Sequence, residues 1–264
     1  MNSFAKYISE ELDIRLAQVD ATLELLDAGA TIPFISRYRK EATGNLNEVQ
    51  VAAISDLNEK LKDLRKRKDT IIHTISEQGK LTDDLQKRII ASWNATELED
   101  IYLPYKPHRR TRASVAREQG LEPLAEIIMA QRESNPEKAA LRFVKDSVTD
   151  VAEAIKGAQD IIAENINESE GSRKTIRQVF RRDATIASRV ISKMKDEDGA
   201  QKYSDYFFFS EELRHCSSHR LLAMRRGESE GILRINITVD DDECIDRLKR
   251  HYVHGYGPCQ SLVS

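Results

Sequence analysis

Apolar residues recur along most of this chain at spacings of three and four, and that period restricts it to helices packed on one another. Val49, Ile54, Leu57, Leu61, Leu64, Ile71 or Ile72, and Ile75 form one seam, which predicts a long helix to about Gln78 with Gly79 as its terminator. Lys62, Arg65, Lys66, Arg67 and Lys68 fall mostly off the seam and read as a solvated face. Upstream, Leu12, Leu16, Val19, Leu23 and Leu26 predict a helix over residues 9–28, stopped at Gly29. Pro33 then disfavours helix in Ile32 and opens a new element at its own first turn. Asn45, with Glu48 able to reach back to it, supplies a capping signal before the long helix.

The same grammar continues downstream. Thr82 caps a helix with Asp83 and Asp84 in its first turn, Thr96 to Glu99 spells a capping box, and Pro104 closes that short element. Helical patterns resume over 123–131, 136–144, 151–167 and 172–194. After Tyr203 the period changes. Residues 220–226 and 232–239 are expected to be strands, with Leu233, Ile235, Ile237 and Val239 alternating with polar neighbours and Gly227 to Gly231 forming the turn of a β-hairpin. A last helix runs from Asp242 to about Tyr252. The expected fold is therefore mainly α, a multi-helical region over 1–200 followed by a hairpin and terminal helix over 201–264 that begin a connecting or incomplete domain.

Composition narrows the setting. The chain is long enough for one large core or two smaller ones and needs no disulfide or metal staple. Its three cysteines, Cys216, Cys244 and Cys259, are odd in number and late in the chain, which fits a reducing cytoplasm. The first residues contain acids and no apolar secretory core, and no run reaches membrane-spanning length. Tyr206 to Phe209 reads as core or interface. A net charge of −3 excludes a uniformly basic protein, so any polyanion contact must come from local patches.

Several strings imitate catalytic motifs. Gly227-Glu228-Ser229-Glu230-Gly231 matches the G-x-S-x-G elbow, but it lacks the preceding strand and following helix, and its two glutamates would oppose an oxyanion. His215, Cys216 and His219 lie within one turn, and His251, His254 and Cys259 cluster later, yet no C-x-x-C pair accompanies them. Asp240 to Glu243 and Asp246 complement the dipole of the last helix, whose far end carries Lys249, Arg250 and His251. No Walker loop, Rossmann fingerprint or H-E-x-x-H occurs. The expectation is a non-enzyme with no cofactor and no metal.

Basic segments are harder to set aside. From Tyr105 to Arg117 there is no acidic residue, and a Pro-bounded loop carrying Lys106, Arg109, Arg110, Arg112 and Arg117 beside Tyr102 and Tyr105 offers phosphate contacts and stacking faces. Arg37, Arg39 and Lys40 form a second group, and Arg173 to Arg182 a third. The competing reading for each is neutralisation of acidic helices nearby.

Longer strings carry a resemblance. Ala30-Thr31-Ile32-Pro33-Phe34-Ile35-Ser36-Arg37-Tyr38-Arg39-Lys40-Glu41-Ala42-Thr43-Gly44 is one, and Glu97-Leu98-Glu99-Asp100-Ile101-Tyr102-Leu103-Pro104-Tyr105-Lys106-Pro107 another. Arg109 to Ala113, Gly120 to Ala125 and Ser218 to Glu228 extend the match. In this order, from about residue 10 to 240, the sequence resembles the Tex family of bacterial transcription accessory proteins. The resemblance implies a helical N-terminal region with helix-turn-helix character, RNA or DNA as partner, transcription machinery such as RNA polymerase as a further one, and no catalytic residue to carry over. It also implies that the ribonuclease-H-like, helix-hairpin-helix and OB-type domains of the family lie outside these residues. The alternative is a protein-binding or architectural module that positions those domains.

Overall fold

A computed structural model of the chain describes residues 3–107, 110–145, 147–195, 197 and 199–264, with Ser3 through its backbone alone. It is mainly helical with one small antiparallel sheet, as the apolar period requires. The chain divides into two compact units, Met1–Tyr105 and Lys106–Ser264. The boundary expected near residue 200 falls inside the second unit, between two strands of its sheet.

The first unit contains α1 (Ser3–Leu12), α2 (Leu16–Asp27), α3 (Ile32–Tyr38), α4 (Glu48–Glu77), α5 (Asp83–Ala91) and α6 (Ala95–Tyr102). The single helix expected over 9–28 is broken. Asp13 adopts a left-handed φ of 52°, a conformation that short polar side chains tolerate, and the Ile14 amide donates to the Ser9 carbonyl to close α1. The break leaves Ile8 and Ile14 both buried, so the apolar stripe crosses the turn without interruption. The cap of α4 lies two residues beyond the expected one: Asn47 accepts from the Gln50 amide and Gln50 answers onto the Asn47 amide, while Asn45 sits in the connecting turn at φ 64°. The seam of α4 is Val51, Ile54, Leu61, Leu64, Ile71 and Ile75, and Val49 is exposed. Asn94, not Thr96, caps α6. Two clusters form the core of this unit, one centred on Ile8, Val19, Ile35 and Ile54, the other on Ile71, Ile75, Ile89 and Leu98.

The second unit opens with α7 (Arg112–Glu118), α8 (Glu122–Ala130) and α9 (Pro136–Ala140), followed by α10 (Val151–Glu168) and α11 (Glu170–Asp183). The basic segment 106–117, expected as a loop, is helical in its second half because Thr111 and Ser114 form a reciprocal capping box. Leu121, Leu124, Ile128, Ala154, Ala158 and Ile161 fill the core between these helices.

The helix expected over 172–194 stops at Asp183, and the chain turns into β1 (Thr185–Val190). Strand β1 is central, flanked by β2 (Phe208–Glu212) and β3 (Leu233–Thr238), both antiparallel to it, with Ile186 opposite Glu211 on one side and Ile237 on the other. Ile186 and Ser188 alternate inward, the Ser188 hydroxyl donating to the Tyr206 carbonyl. Residues 220–226 are not the partner strand of a hairpin: they belong to α12 (Ser218–Ser229). That helix runs close to β3, since a Cβ on Gly227 would come within 2.7 Å of the buried Leu233 side chain. Last come α13 (Asp241–Tyr252), capped by Asp240 as expected, and α14 (Pro258–Val263). Among the described residues, no helix is long and apolar enough to cross a membrane.

Candidate nucleic-acid interface

The predicted basic residues fall into both units. In the first, α2 ends at Asp27 and a four-residue turn leads into α3, with Gly29 at φ 84° and the Ala30 amide returning to the Leu25 carbonyl. Helix α3 has a strict inside and outside. Ile35 is fully buried and Ser36 nearly so, which fixes the helix on the core. Phe34, Arg37 and Tyr38 consequently face solvent, followed by the exposed Arg39 and Lys40.

The chain after α3 is held firmly. Thr43 is fully buried and its hydroxyl donates to the carbonyls of Arg39, at 3.2 Å, and Lys40, at 3.4 Å. The Gln18 side-chain amide reaches across from α2 to the carbonyls of Thr43 and Gly44, at 3.0 and 2.9 Å. The backbone that carries Arg39 and Lys40 is therefore pinned on both sides. Arg37, Arg39 and Lys40 make no ion pair among the described residues, and Glu41 is the only carboxylate between Asp27 and Glu48.

An aromatic pair accompanies these cations. Phe34 and Tyr38, one helical turn apart, place their ring centroids 5.5 Å from each other at 42°, and the Arg39 guanidinium lies 5.5 Å from the Phe34 centroid. Phe34 is 41% exposed and Tyr38 66%. Sequence reasoning marked the cations and passed over the rings. Their spacing of four beside a buried Ile35 was the available signal.

In the second unit Lys106 is exposed at the start, and Arg109 lies outside the described residues. Arg110 is exposed and pairs with Glu118 at 3.2 Å. Arg112 approaches Asp160 on α10 at 3.4 Å with most of its side chain still in solvent. Arg117 is different. Its guanidinium meets Glu122 at 3.1 Å, Asn165 at 2.8 Å and Glu164 in a still closer pair, while the Thr111 hydroxyl donates to the other Glu164 oxygen at 2.8 Å. Burial alone would lower the pKa of Arg117, but Glu164 and Glu122 outweigh it and hold the pKa raised. This arginine ties α7 to α10, with each of its three guanidinium nitrogens already engaged by a partner. Among the described residues of this segment, Lys106, Arg110 and Arg112 are the outward cations.

The remaining basic runs are engaged internally in part, with Arg65, Lys174 and Arg181 exposed. On α4, Arg67 makes a bidentate pair with Glu99, at 2.6 and 2.9 Å, and Lys68 is buried, so the face is only partly the solvated one expected. Arg182 pairs with Asp183 and Glu243, and Arg173 and Arg177 line an apolar cavity of about 700 Å³ among α10, α11, α13 and α14. The Ser172 and Tyr252 hydroxyls share a 2.7 Å hydrogen bond at its wall.

The motif-like strings have ordinary geometry. Ser229 is the last residue of α12, and its hydroxyl donates to the Arg226 carbonyl at 2.8 Å, with a helix before it and a strand after, the reverse of an elbow. His215 pairs with Glu212 and Cys216 is half-buried, its pKa raised first by burial and then by Glu211. Among the described residues no three His, Cys, Asp or Glu side chains converge as metal ligands.

Comparison with known proteins places these features. Residues 2–76 match the family described as the Tex-like protein N-terminal domain, and residues 131–257 the Tex central region-like family. "Transcriptional accessory protein Tex" of Neisseria gonorrhoeae is 41% identical over 241 residues, covering 91% of this chain and 32% of the relative. "Protein YhgF" of Escherichia coli K12 is 44% identical over 241 residues, 90% of this chain and 31% of the relative. "S1 RNA-binding domain-containing protein 1" of Homo sapiens is 29% identical over 242 residues, 89% of this chain and 24% of the relative. The chain thus spans about a third of the length of the bacterial relatives.

Proposed function

This chain belongs to the Tex family, and on that premise we propose that it is a non-catalytic, cytoplasmic, nucleic-acid-binding segment of a transcription accessory protein. The observation that carries the proposal is the group Arg37, Arg39 and Lys40: exposed, without ion pairs among the described residues, and mounted on a backbone pinned by Thr43 and Gln18. Unpaired cations on a fixed backbone reach phosphates without first breaking an internal salt bridge. The turn between α2 and α3, with Gly29 in it, has the length found in helix-turn-helix pairs and supports that reading of the two helices. Lys106, Arg110 and Arg112 are a weaker second surface, because Glu118 and Asp160 neutralise two of them. RNA polymerase as a partner belongs to the same proposal, as does RNA or DNA as the ligand.

The test is electrostatic. Titrating a labelled oligonucleotide into the chain at about 50 and about 200 mM salt should show affinity falling by roughly 20- to 40-fold, the dependence expected when about three phosphates are neutralised. The triple substitution R37A/R39A/K40A should weaken binding and flatten that dependence. Binding that ignores both salt and the triple substitution rejects the proposal.

The apolar cavity among α10, α11, α13 and α14 favours a second reading, an architectural module that docks other protein segments. Nuclease-resistant association with partners, together with no salt-dependent oligonucleotide binding, would select it.

A further inference from the structure

We infer that Phe34 and Tyr38 form a base-stacking platform, so that the ligand of the α3 surface is an unpaired, single-stranded stretch of nucleic acid whose bases, as well as its phosphates, are bound. The inference rests on the proposed nucleic-acid reading and adds a ligand form and two residues to it.

Two large rings outside the core call for an explanation. Ile35 and Ser36 show that α3 is seated firmly, so the exposure of Phe34 and Tyr38 is built into the phase of the helix and does not come from loose packing. Tyr38 is two-thirds exposed and its only ring contact among the described residues is Phe34. The two rings are inclined at 42°, which leaves Tyr38 an open face, while the Arg39 guanidinium lies within cation–π range of Phe34 at 5.5 Å. An aromatic face with an arginine plane beside it is the combination that holds unstacked bases, since every base has a π-face and guanidinium stacks on it as readily as a ring does.

Charge selects among occupants. In the stretch between Asp27 and Glu48, Arg37, Arg39 and Lys40 stand against a single carboxylate, Glu41, so this segment suits a polyanion that is also aromatic. A nucleic-acid strand supplies both at the spacing of successive nucleotides, with phosphates for the cations and bases for the rings. In a duplex the base faces are stacked on one another and closed to Phe34 and Tyr38, and only an unpaired strand presents them. The pinned carbonyls of Arg39 and Lys40 fix the backbone from which the cations extend beside the rings, which limits the ordering cost of binding.

The experiment uses the whole chain and three fluorescein-labelled probes of about 12 nucleotides, inside the span that single-strand sites cover: a mixed-sequence single strand, an abasic strand with the same phosphates, and a duplex. Each stacked base contributes roughly 5- to 150-fold in affinity. The single strand should therefore bind at least about 5-fold tighter than the abasic strand. F34A/Y38A should bring the single strand down to the abasic level and leave its salt dependence unchanged. Tyr38→Phe should restore single-strand binding in full, because it keeps the ring, and circular dichroism of each variant controls for folding. Equal binding of single and abasic strands by the wild-type chain overturns the inference while leaving the phosphate-binding function standing. So does a loss in F34A/Y38A that is as large for the duplex as for the single strand, which would mean insertion into a groove. Failure of all three probes to bind rejects the function and the inference together, and points to a protein partner.

Discussion

At the scale of single residues, the sequence distinguishes cations from other residues but not spent cations from available ones. Arg117 and Arg37 look alike in a basic string. One is locked to Glu164, Glu122 and Asn165, and the other faces water with no ion pair among the described residues. The partners of Arg117 on α10 are distant in sequence, so no local pattern could have announced them. Lys68 is the sharper case. It looked like part of a solvated face, yet it is buried, donates to the Ile90 carbonyl at 2.7 Å and sits 4.7 Å from the centre of the Trp93 ring, itself stacked on Tyr7. Burial lowers its pKa from the ordinary lysine value. The folded state therefore binds this proton less tightly than the unfolded chain. The resulting penalty on folding is complete below the folded pKa and is relieved as pH rises from there toward the unfolded value of about 10.4. Urea unfolding at about pH 8 and about pH 10 should show the wild-type chain gaining stability relative to K68M across that interval. A difference independent of pH would contradict the burial of the ammonium group.

At the scale of elements, existence was legible and boundaries often were not. Helices α4, α8, α10 and α13 follow their apolar spacing closely. The break at Asp13 escaped notice because Leu12 and Leu16 keep helical spacing across it. The change from α11 to β1 escaped because Val179, Ile186 and Val190 fit a helical stripe about as well as a strand, and only the pairing with β2 and β3 decides between them. Capping failed in a similar way: Asn45 and Asn47 each have an acceptor-bearing residue three positions on, and the packing of Leu46, 3% exposed, selects the second. Packing between elements yields its own prediction. Gly157 lies inside α10, where an alanine would normally add about 1 kcal/mol to helix stability. Here a Cβ would collide with Leu121, which is fully buried, and approach the Ala116 Cβ at 3.3 Å, so α10 passes α7 and α8 at a distance only glycine permits. Gly157→Ala should therefore destabilise the chain by about 1 to 3 kcal/mol in urea unfolding, the range for overpacking a filled core. A neutral or stabilising result would show that Leu121 can move aside.

At the scale of the whole molecule, the mainly helical class followed from periodicity and the scarcity of aromatic residues, whereas the division after Tyr105 left no mark in composition. It lies within a string, Tyr102 to Pro107, that reads continuously in the sequence and changes its structural allegiance midway. The two core clusters of the first unit contain no residue beyond Tyr105. Residues 1–105 expressed alone should accordingly give a helical circular dichroism spectrum and one cooperative thermal transition. A gradual, non-cooperative melt would show that this unit needs more of the chain.

Strand β1 is the centre of its sheet, yet both of its partners come later in the sequence, and its longer ladder is with β3, the later of the two. On the ribosome this order matters. The helices before β1 have local partners and can settle as they emerge, while β1 presents unpaired edges on both sides until β2 and then β3 have been made. Completion of the sheet is thus timed by the arrival of Thr238 at the tunnel exit. A synthesis pause before that point would lengthen the interval in which the nascent chain is open to mispairing with its neighbours.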